Sequence, residues 1–268
     1  MSLENWRQNK LFPDERRIVP SADQLAVREN TAWIDFFGEP IVVPTPSFEL
    51  LDTLARAYEF NFTTLEPIYL PRVQFTQDAT FPGWKVRPND VFWRKISEGE
   101  IAQDAASLPG DWILFDTIFR PDYNRGRQLH EDDALNPLLV QLRQSGTIDI
   151  MPNYAFVPLP SRFALSVSEI RNSVNRATAD FLGVDASTVR LPQEIVLNVL
   201  DNRSYPHLGQ ADTWEWTDDV VGKDGSLFVA SSEVGGLTHI SVGGSDCRHS
   251  HVAFRQIIKP QLLISRTH

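Results

Sequence analysis

A single cysteine, Cys247, stands in a chain of 268 residues. That constrains the fold more than any other feature, because it excludes an intrachain disulfide framework. The fold must stand on packing and hydrogen bonding alone. Hydrophobic residues make up 42% of the chain and charged residues 22%, enough for a sizeable core in one large domain or two smaller ones. The formal net charge of −10 leaves no basic footprint for nucleic acid, so no nucleic-acid partner is expected. The opening stretch MSLENWRQNKLFPDERR lacks an apolar signal-peptide core. No apolar run reaches the ~18 residues of a membrane span. The expected location is the cytosol, or a virion or similar particle.

Hydrophobic periodicity and turn residues divide the chain. Residues 1–30 are polar and read as an irregular arm. The stretch AWIDFFGEPIVVP reads as strand–turn–strand about Gly38. A helix follows, with Thr45 as N-cap and Pro46 at its first position. A short helix is expected over Ile96–Ala106, and a strand over Trp112–Phe119. The Leu108-Pro109-Gly110 break places a boundary between an N-terminal region, 1–106, and a C-terminal domain, 107–268. Asn136 with Pro137 starts another helix, which Gly146 stops. Ser166 and Glu169 have capping-box spacing, and Ile170, Val174, Ala177 and Phe181 repeat at helical period up to Gly183. A short apolar segment runs to Leu200. Then DTWEWT, SLFVAS, LTHISV and VAFRQII read as short strands between polar or glycine-rich turns. The order predicts an α+β protein: two helices on small antiparallel sheets, after a mixed α/β N-terminal region.

Four pieces of the C-terminal half come in a distinctive order: a helix opened by VSEI, then RLPQE, then DTWEWTDD, then a Gly-Gly element followed by AFR. The string resembles the formylglycine-generating enzyme (sulfatase-modifying factor) superfamily. Arg190, Leu191, Pro192 and Glu194 match its first motif. Trp214, Glu215, Trp216, Thr217 and Asp219 match the second, and Phe254 and Arg255 the last. The Gly-Gly element is either Gly235-Gly236 or Gly243-Gly244. The resemblance covers about residues 107–264 and implies a C-type lectin-like fold in its disulfide-free form. It also implies that the two tryptophans pack in the core, that Glu194 and Glu215 are buried hydrogen-bond acceptors, and that Arg255 partners one of them.

The departures from the family shape the functional expectation. Its oxidases hold copper with two cysteines, and this chain has one thiol. The three-histidine iron site of its sulfoxide synthases has no counterpart run here. A third group with this fold, the variable proteins of diversity-generating retroelements, does no chemistry and presents a hypervariable patch near the C-terminus. Mutagenesis of adenines in Asn-type codons cannot produce Lys, Glu, Gln, Met or Trp. From Leu227 to Arg255, Glu233 alone lies outside the reachable set.

The stretch DCRHSH falls inside that patch. His249 and His251, two apart on a strand, point to one face, and with Asp246 or Cys247 they have the donor types of a Zn²⁺ or Cu²⁺ site. Cys247 beside His249 has the types of a nucleophile and base. Neither arrangement shows a third distant member. The leading expectation is therefore a non-enzymatic ligand- or receptor-binding protein with no cofactor. Its contact surface comprises Ser245, Asp246, Cys247, Arg248, His249, Ser250 and His251. Ser231, Ser232 and His239 flank it. The expected partner is a protein, a cell-surface structure or a glycan. The alternative is a divergent metal-dependent oxidoreductase using Cys247, His249 and His251. The loop itself is expected to face solvent and to contribute little to stability. In a second loop, Arg120, Arg125 and Arg127 form a basic cluster answered by His130–Asp133.

Overall fold

The computed structural model describes residues 18–231 and 237–260. The fold is mixed α+β, with two four-stranded sheets and helices packed around them. Helix α1 spans Ala22–Phe37, where an irregular arm and then strand–turn–strand are expected. The physical reason is local. Ser21 and Gln24 form a capping box, and Gly38, at φ 79°, closes the helix in the left-handed region rather than centring a hairpin. Leu25, Glu29, Trp33, Phe36 and Phe37 then share the buried face at helical spacing. Helix α2 (Phe48–Glu59) is capped by Ser47, not Thr45. Strand β1 is Leu65–Gln74. In place of one helix over 96–106 come α3 (Asp90–Ser97), capped by Asn89, and a 3-10 turn at Gln103–Ala106.

Strand β2, Ser107–Asp116, starts earlier than expected and carries Leu108-Pro109-Gly110 within it. It pairs with β1 from Ser107↔Gln74 to Asp116↔Leu65, so one antiparallel ladder joins residues on both sides of the 106/107 boundary. Helix α4 is Asn136–Gln144 with Pro137 in its first turn, but Asn136 does not cap it. The Asp133 carboxylate accepts the Leu135 amide instead, at 2.9 Å.

The next helical run, α5, opens at Val167–Glu169 on the predicted Ser166/Glu169 capping box, widens to a π turn at Ile170–Val174 and ends as Asn175–Leu182 at left-handed Gly183. Strand β3 is Val189–Arg190. The apolar segment to Leu200 is helix α6, Glu194–Arg203. Nearly all of it is buried, so it shows no amphipathic stripe from which a helix is read.

Strands β4 (Trp214–Val221), β5 (Gly225–Ser231), β6 (Leu237–Gly244), β7 (Val252–Phe254) and β8 (Ile257–Ile258) complete the chain. One sheet has the order β1-β2-β8-β3, the other β6-β5-β4-β7. The second sheet is not purely antiparallel, because β7 runs parallel to β4. VAFRQII is thus two strands in two sheets, with Arg255 and Gln256 turning between them.

Trp216, Ile170, Val174, Val252 and Phe254 share a core with Leu50, Leu54 and Leu65 from the first part of the chain. Trp216 is wholly buried and its indole donates to the Leu165 carbonyl at 2.9 Å. Helix α1 docks through Trp33, whose indole donates to Tyr69 O at 2.7 Å, and through Glu29, which is paired with Arg203 of α6 at 2.7 Å.

Candidate functional site

The turn from β6 to β7 holds Ser245 to His251, and its backbone is fastened at nearly every carbonyl. Ser168 donates to Ser245 O at 3.1 Å, Tyr154 Oη to Arg248 O at 2.7 Å and Ala164 to His249 O at 3.2 Å. Gln128 Nε2 donates to Ser250 O at 2.6 Å, and Trp214 to His251 O at 2.8 Å. Ala164 sits at φ 59°, a strained conformation for a residue with a Cβ, at the point where its amide meets the loop. Ser245 further donates its amide to Asp224 O at 3.0 Å.

The side chains divide sharply. Asp246 and Cys247 face solvent. Arg248 turns back to clasp Glu169 at the start of α5, with Nε at 2.9 Å and Nη2 at 2.7 Å. That hydrogen-bonded carboxylate raises its guanidinium above the usual arginine range. His249 lies over the core, 5.8 Å from Trp216 and 5.5 Å from Phe228 by ring centroids. A Cβ at Gly243 would stand 3.2 Å from its Nε2 and 3.1 Å from Trp216, so glycine keeps room for the imidazole. Gly243 and Gly244 end β6; Gly235 and Gly236 lie outside the described residues. The expectation of a wholly solvent-facing loop is corrected: Arg248, His249, Ser250 and His251 are half-buried and tied down.

Behind the loop stands a layer of buried charge. Arg255 donates to Glu215 through Nη2 at 2.9 Å and Nε at 3.2 Å, and to the Asp116 and Ile118 carbonyls, in complete burial. Arg162 bridges Asp116 and Asp133 at 2.6 Å each. Burial pushes the Asp116 carboxyl up, but Arg162, Arg255 and the Thr64 hydroxyl more than offset it, leaving its value below the usual range. The expected basic cluster does not form. Arg120 is fully buried and donates to Leu208 O and Ala211 O, whereas Arg125 and Arg127 are exposed. His130 is buried against Phe163 with both ring nitrogens unpartnered among the described residues. Burial holds its imidazole well below the ordinary value, so it is neutral there.

Of the residues singled out from sequence, Ser245 to His251 come together as one turn. His239 is exposed on β6, Ser231 ends β5, and Ser232 lies outside the described residues. The structure adds neighbours that sequence reasoning missed. Tyr123 meets His251 edge-on at 6.3 Å between centroids, and Tyr154 lies 6.2 Å from Phe156. Phe156 in turn packs over Gly126, where a Cβ would clash at 2.1 Å. Tyr123 and Phe156 are 45% and 43% exposed, large aromatics left in water beside the turn. They come from loops about a hundred residues upstream, and no periodicity links them to DCRHSH. In the structure, half of the exposed large hydrophobic side chains among the described residues fall between Phe119 and Leu159.

His249 and His251 lie 5.6 Å apart by ring centroids, and burial lowers both imidazoles, with the neighbouring His249 adding to the effect on His251. Two half-buried neutral imidazoles supply nitrogen donors, but among the described residues no three His, Cys, Asp or Glu side chains are grouped to hold a metal ion. Among those residues no helix is long and apolar enough to cross a membrane. Compared with protein-family models, curated proteins and solved structures, the chain matches none.

Proposed function

We propose that the chain is a binding protein whose contact surface is the Ser245–His251 turn together with the exposed aromatics Tyr123 and Phe156, set on a C-type lectin-like scaffold. The carrying observation is the division within the turn. Its backbone is anchored by hydrogen bonds from five separate segments, while Asp246 and Cys247 project outward and are free to differ without disturbing those bonds. A rigid frame with replaceable side chains loses little conformational entropy on binding. Tyr123 and Phe156 supply the aromatic anchors that dominate protein interfaces. They favour a protein partner over a bare glycan.

Support for the lectin-like, retroelement-type scaffold comes from how the resembling motifs are used. Glu215, Trp216 and Arg255 are buried as framework, and His249 of the turn rests on Trp216. The oxidoreductase alternative needs Cys247, His249 and His251 to converge; the exposed thiol beside Gly244 and the core-packed His249 do not provide a third ligand.

The test is a library randomised at Asp246 and Cys247, displayed on cells and screened against a fixed panel of purified proteins. The reading expects most members to keep the wild-type unfolding midpoint and different members to bind different panel proteins. Members that unfold, or a folded library in which no variant acquires binding, would overturn it.

A further inference from the structure

Two carboxyl groups are buried at the start of α6, and neither is ion-paired with a cation among the described residues. Glu194 is the first residue of the helix and is wholly buried, and both of its side-chain oxygens lack a hydrogen-bond partner among the described residues. Asp219 reaches across from β4, and its Oδ2 accepts the Glu194 backbone amide at 2.6 Å. Its other oxygen, Oδ1, is also buried and has no partner among the described residues. Asp219 stands in the irregular part of β4, where pairing with β5 shifts register between Trp216 and Val220. The adjacent Asp218 amide donates to Pro192 O at 2.9 Å, so strand and helix start are stitched together at this point.

An ionised, unpaired carboxylate is strongly disfavoured in such burial, and the group takes a proton instead. One proton on Glu194 removes one of the two buried charges, while Asp219 Oδ2 still accepts the Glu194 amide. We propose that Glu194 and Asp219 hold a single proton between them at neutral pH and act as a pH-operated latch that fastens the start of α6 to β4. This inference does not rest on the binding reading.

The charged surroundings support the assignment. Burial and then Asp219 raise Glu194 well above the carboxylate range. Burial raises Asp219 to about 6 against the bonds from the Glu194 amide and Thr217, with Asp218 also raising it. Asp218 itself is bonded by Arg171 of the π turn at 2.8 Å and further answered by exposed Arg190 of β3. Arg171 is thus engaged with Asp218 and Arg190 donates to Ser187 O, so among the described residues neither guanidinium pairs with Glu194 or Asp219. Farther along α6, Asp201 is likewise raised by burial, to about 7, and accepts the Gly209 amide.

The sign follows from linkage. A carboxyl whose folded value is raised contributes stability that is fully present below its unfolded value and is lost as pH rises through the folded one. The latch is therefore closed in acid and strained in alkali. Opening it loosens β4, the strand under Trp216 on which His249 rests.

The experiment is the thermal unfolding midpoint of the full chain from pH 5 to pH 9, in wild type, Glu194→Gln and Asp219→Asn. The glutamine amide imitates the protonated acid. Glu194→Gln is expected to match wild type at pH 5 and to exceed it increasingly toward pH 9. The slope that remains in Glu194→Gln up to about pH 7 is that of Asp219 and Asp201. Asp219→Asn is expected to show the same crossing. Parallel profiles for wild type and both variants would overturn the proposal. So would a midpoint raised by added calcium in wild type but not in Glu194→Gln, which would put a cation where the proton is assigned. Should neither variant fold, infrared spectroscopy of wild type decides. A protonated-carboxyl band that is present at pH 7 and lost on alkaline titration supports the latch, and its absence at pH 7 sinks it.

Discussion

Arg248 and Arg255 make the same bond in two different settings. Each presents its guanidinium to a glutamate through two nitrogens, Arg248 to Glu169 and Arg255 to Glu215. Arg255 and its partner are wholly buried, whereas the Arg248 and Glu169 side chains keep 17% and 12% of their exposure. The inner pair is framework: stripping one member leaves a charge with nowhere to go. The outer pair positions a turn, and water remains available to either partner. The difference teaches where this molecule tolerates change. The inner pair lies where no water reaches it, whereas at the rim the turn above Trp216 leaves Asp246 and Cys247 open to change.

The sharpest way to break that contrast is in the inner layer. Arg162→Ala strips both Asp116 and Asp133, and a loss of ~5 kcal/mol in urea unfolding is expected. A loss below ~1 kcal/mol would show that the layer is not framework at all. Trp216→Ala comes next, at ~3–5 kcal/mol, for a cavity beneath the turn and an unpaired Leu165 carbonyl.

An intermediate effect is graded by pH. His130 is buried neutral, so its folded value lies below its ordinary one, and its contribution is present above about pH 6.5 and lost as pH falls toward the folded value. His130→Phe should flatten the acid limb of the unfolding midpoint between pH 7.5 and pH 5. An unchanged limb would assign that loss to other groups. Arg248→Ala should cost only ~1 kcal/mol, as for partly exposed ion pairs, and the double change Asp246→Ala with Cys247→Ala should stay within ~0.5 kcal/mol per site. Equal costs at Arg248 and Arg162 would erase the distinction between rim and framework.

The inner layer was more legible in the sequence than the rim. The capping box at Ser166, the left-handed stop at Gly183 and the strand character of Trp214 to Thr217 are local signals, and they appear where expected. Arg255 does pair with a motif glutamate, Glu215; Glu194, expected as a hydrogen-bond acceptor, has instead no partner for its side chain among the described residues. Helix α1 forms against the strand propensity of Trp33, Phe36 and Phe37 because the Ser21 capping box and the stop at Gly38 fix its ends, and packing of Trp33 on β1 and α6 adds to them. Helix α6 was missed because a helix buried on all sides has no polar face to set its period. At the rim the turn was visible as composition, but its aromatic neighbours were not, since Tyr123 and Phe156 arrive through long loops whose paths no local rule fixes.

Strand β8 is only two residues long, yet it lies between β2 and β3 and joins them into one sheet. Next to it, Arg255 grips the Asp116 carbonyl from 139 residues away along the chain. During synthesis β1 and β2 emerge early and can zip into a hairpin, but one edge of that hairpin waits until nearly the whole described chain has left the ribosome. Such distant pairings fold slowly, and an edge held open exposes backbone donors and acceptors to other chains. The cell therefore meets this protein first as an unfinished sheet, and its yield depends on how long that edge stays unclaimed.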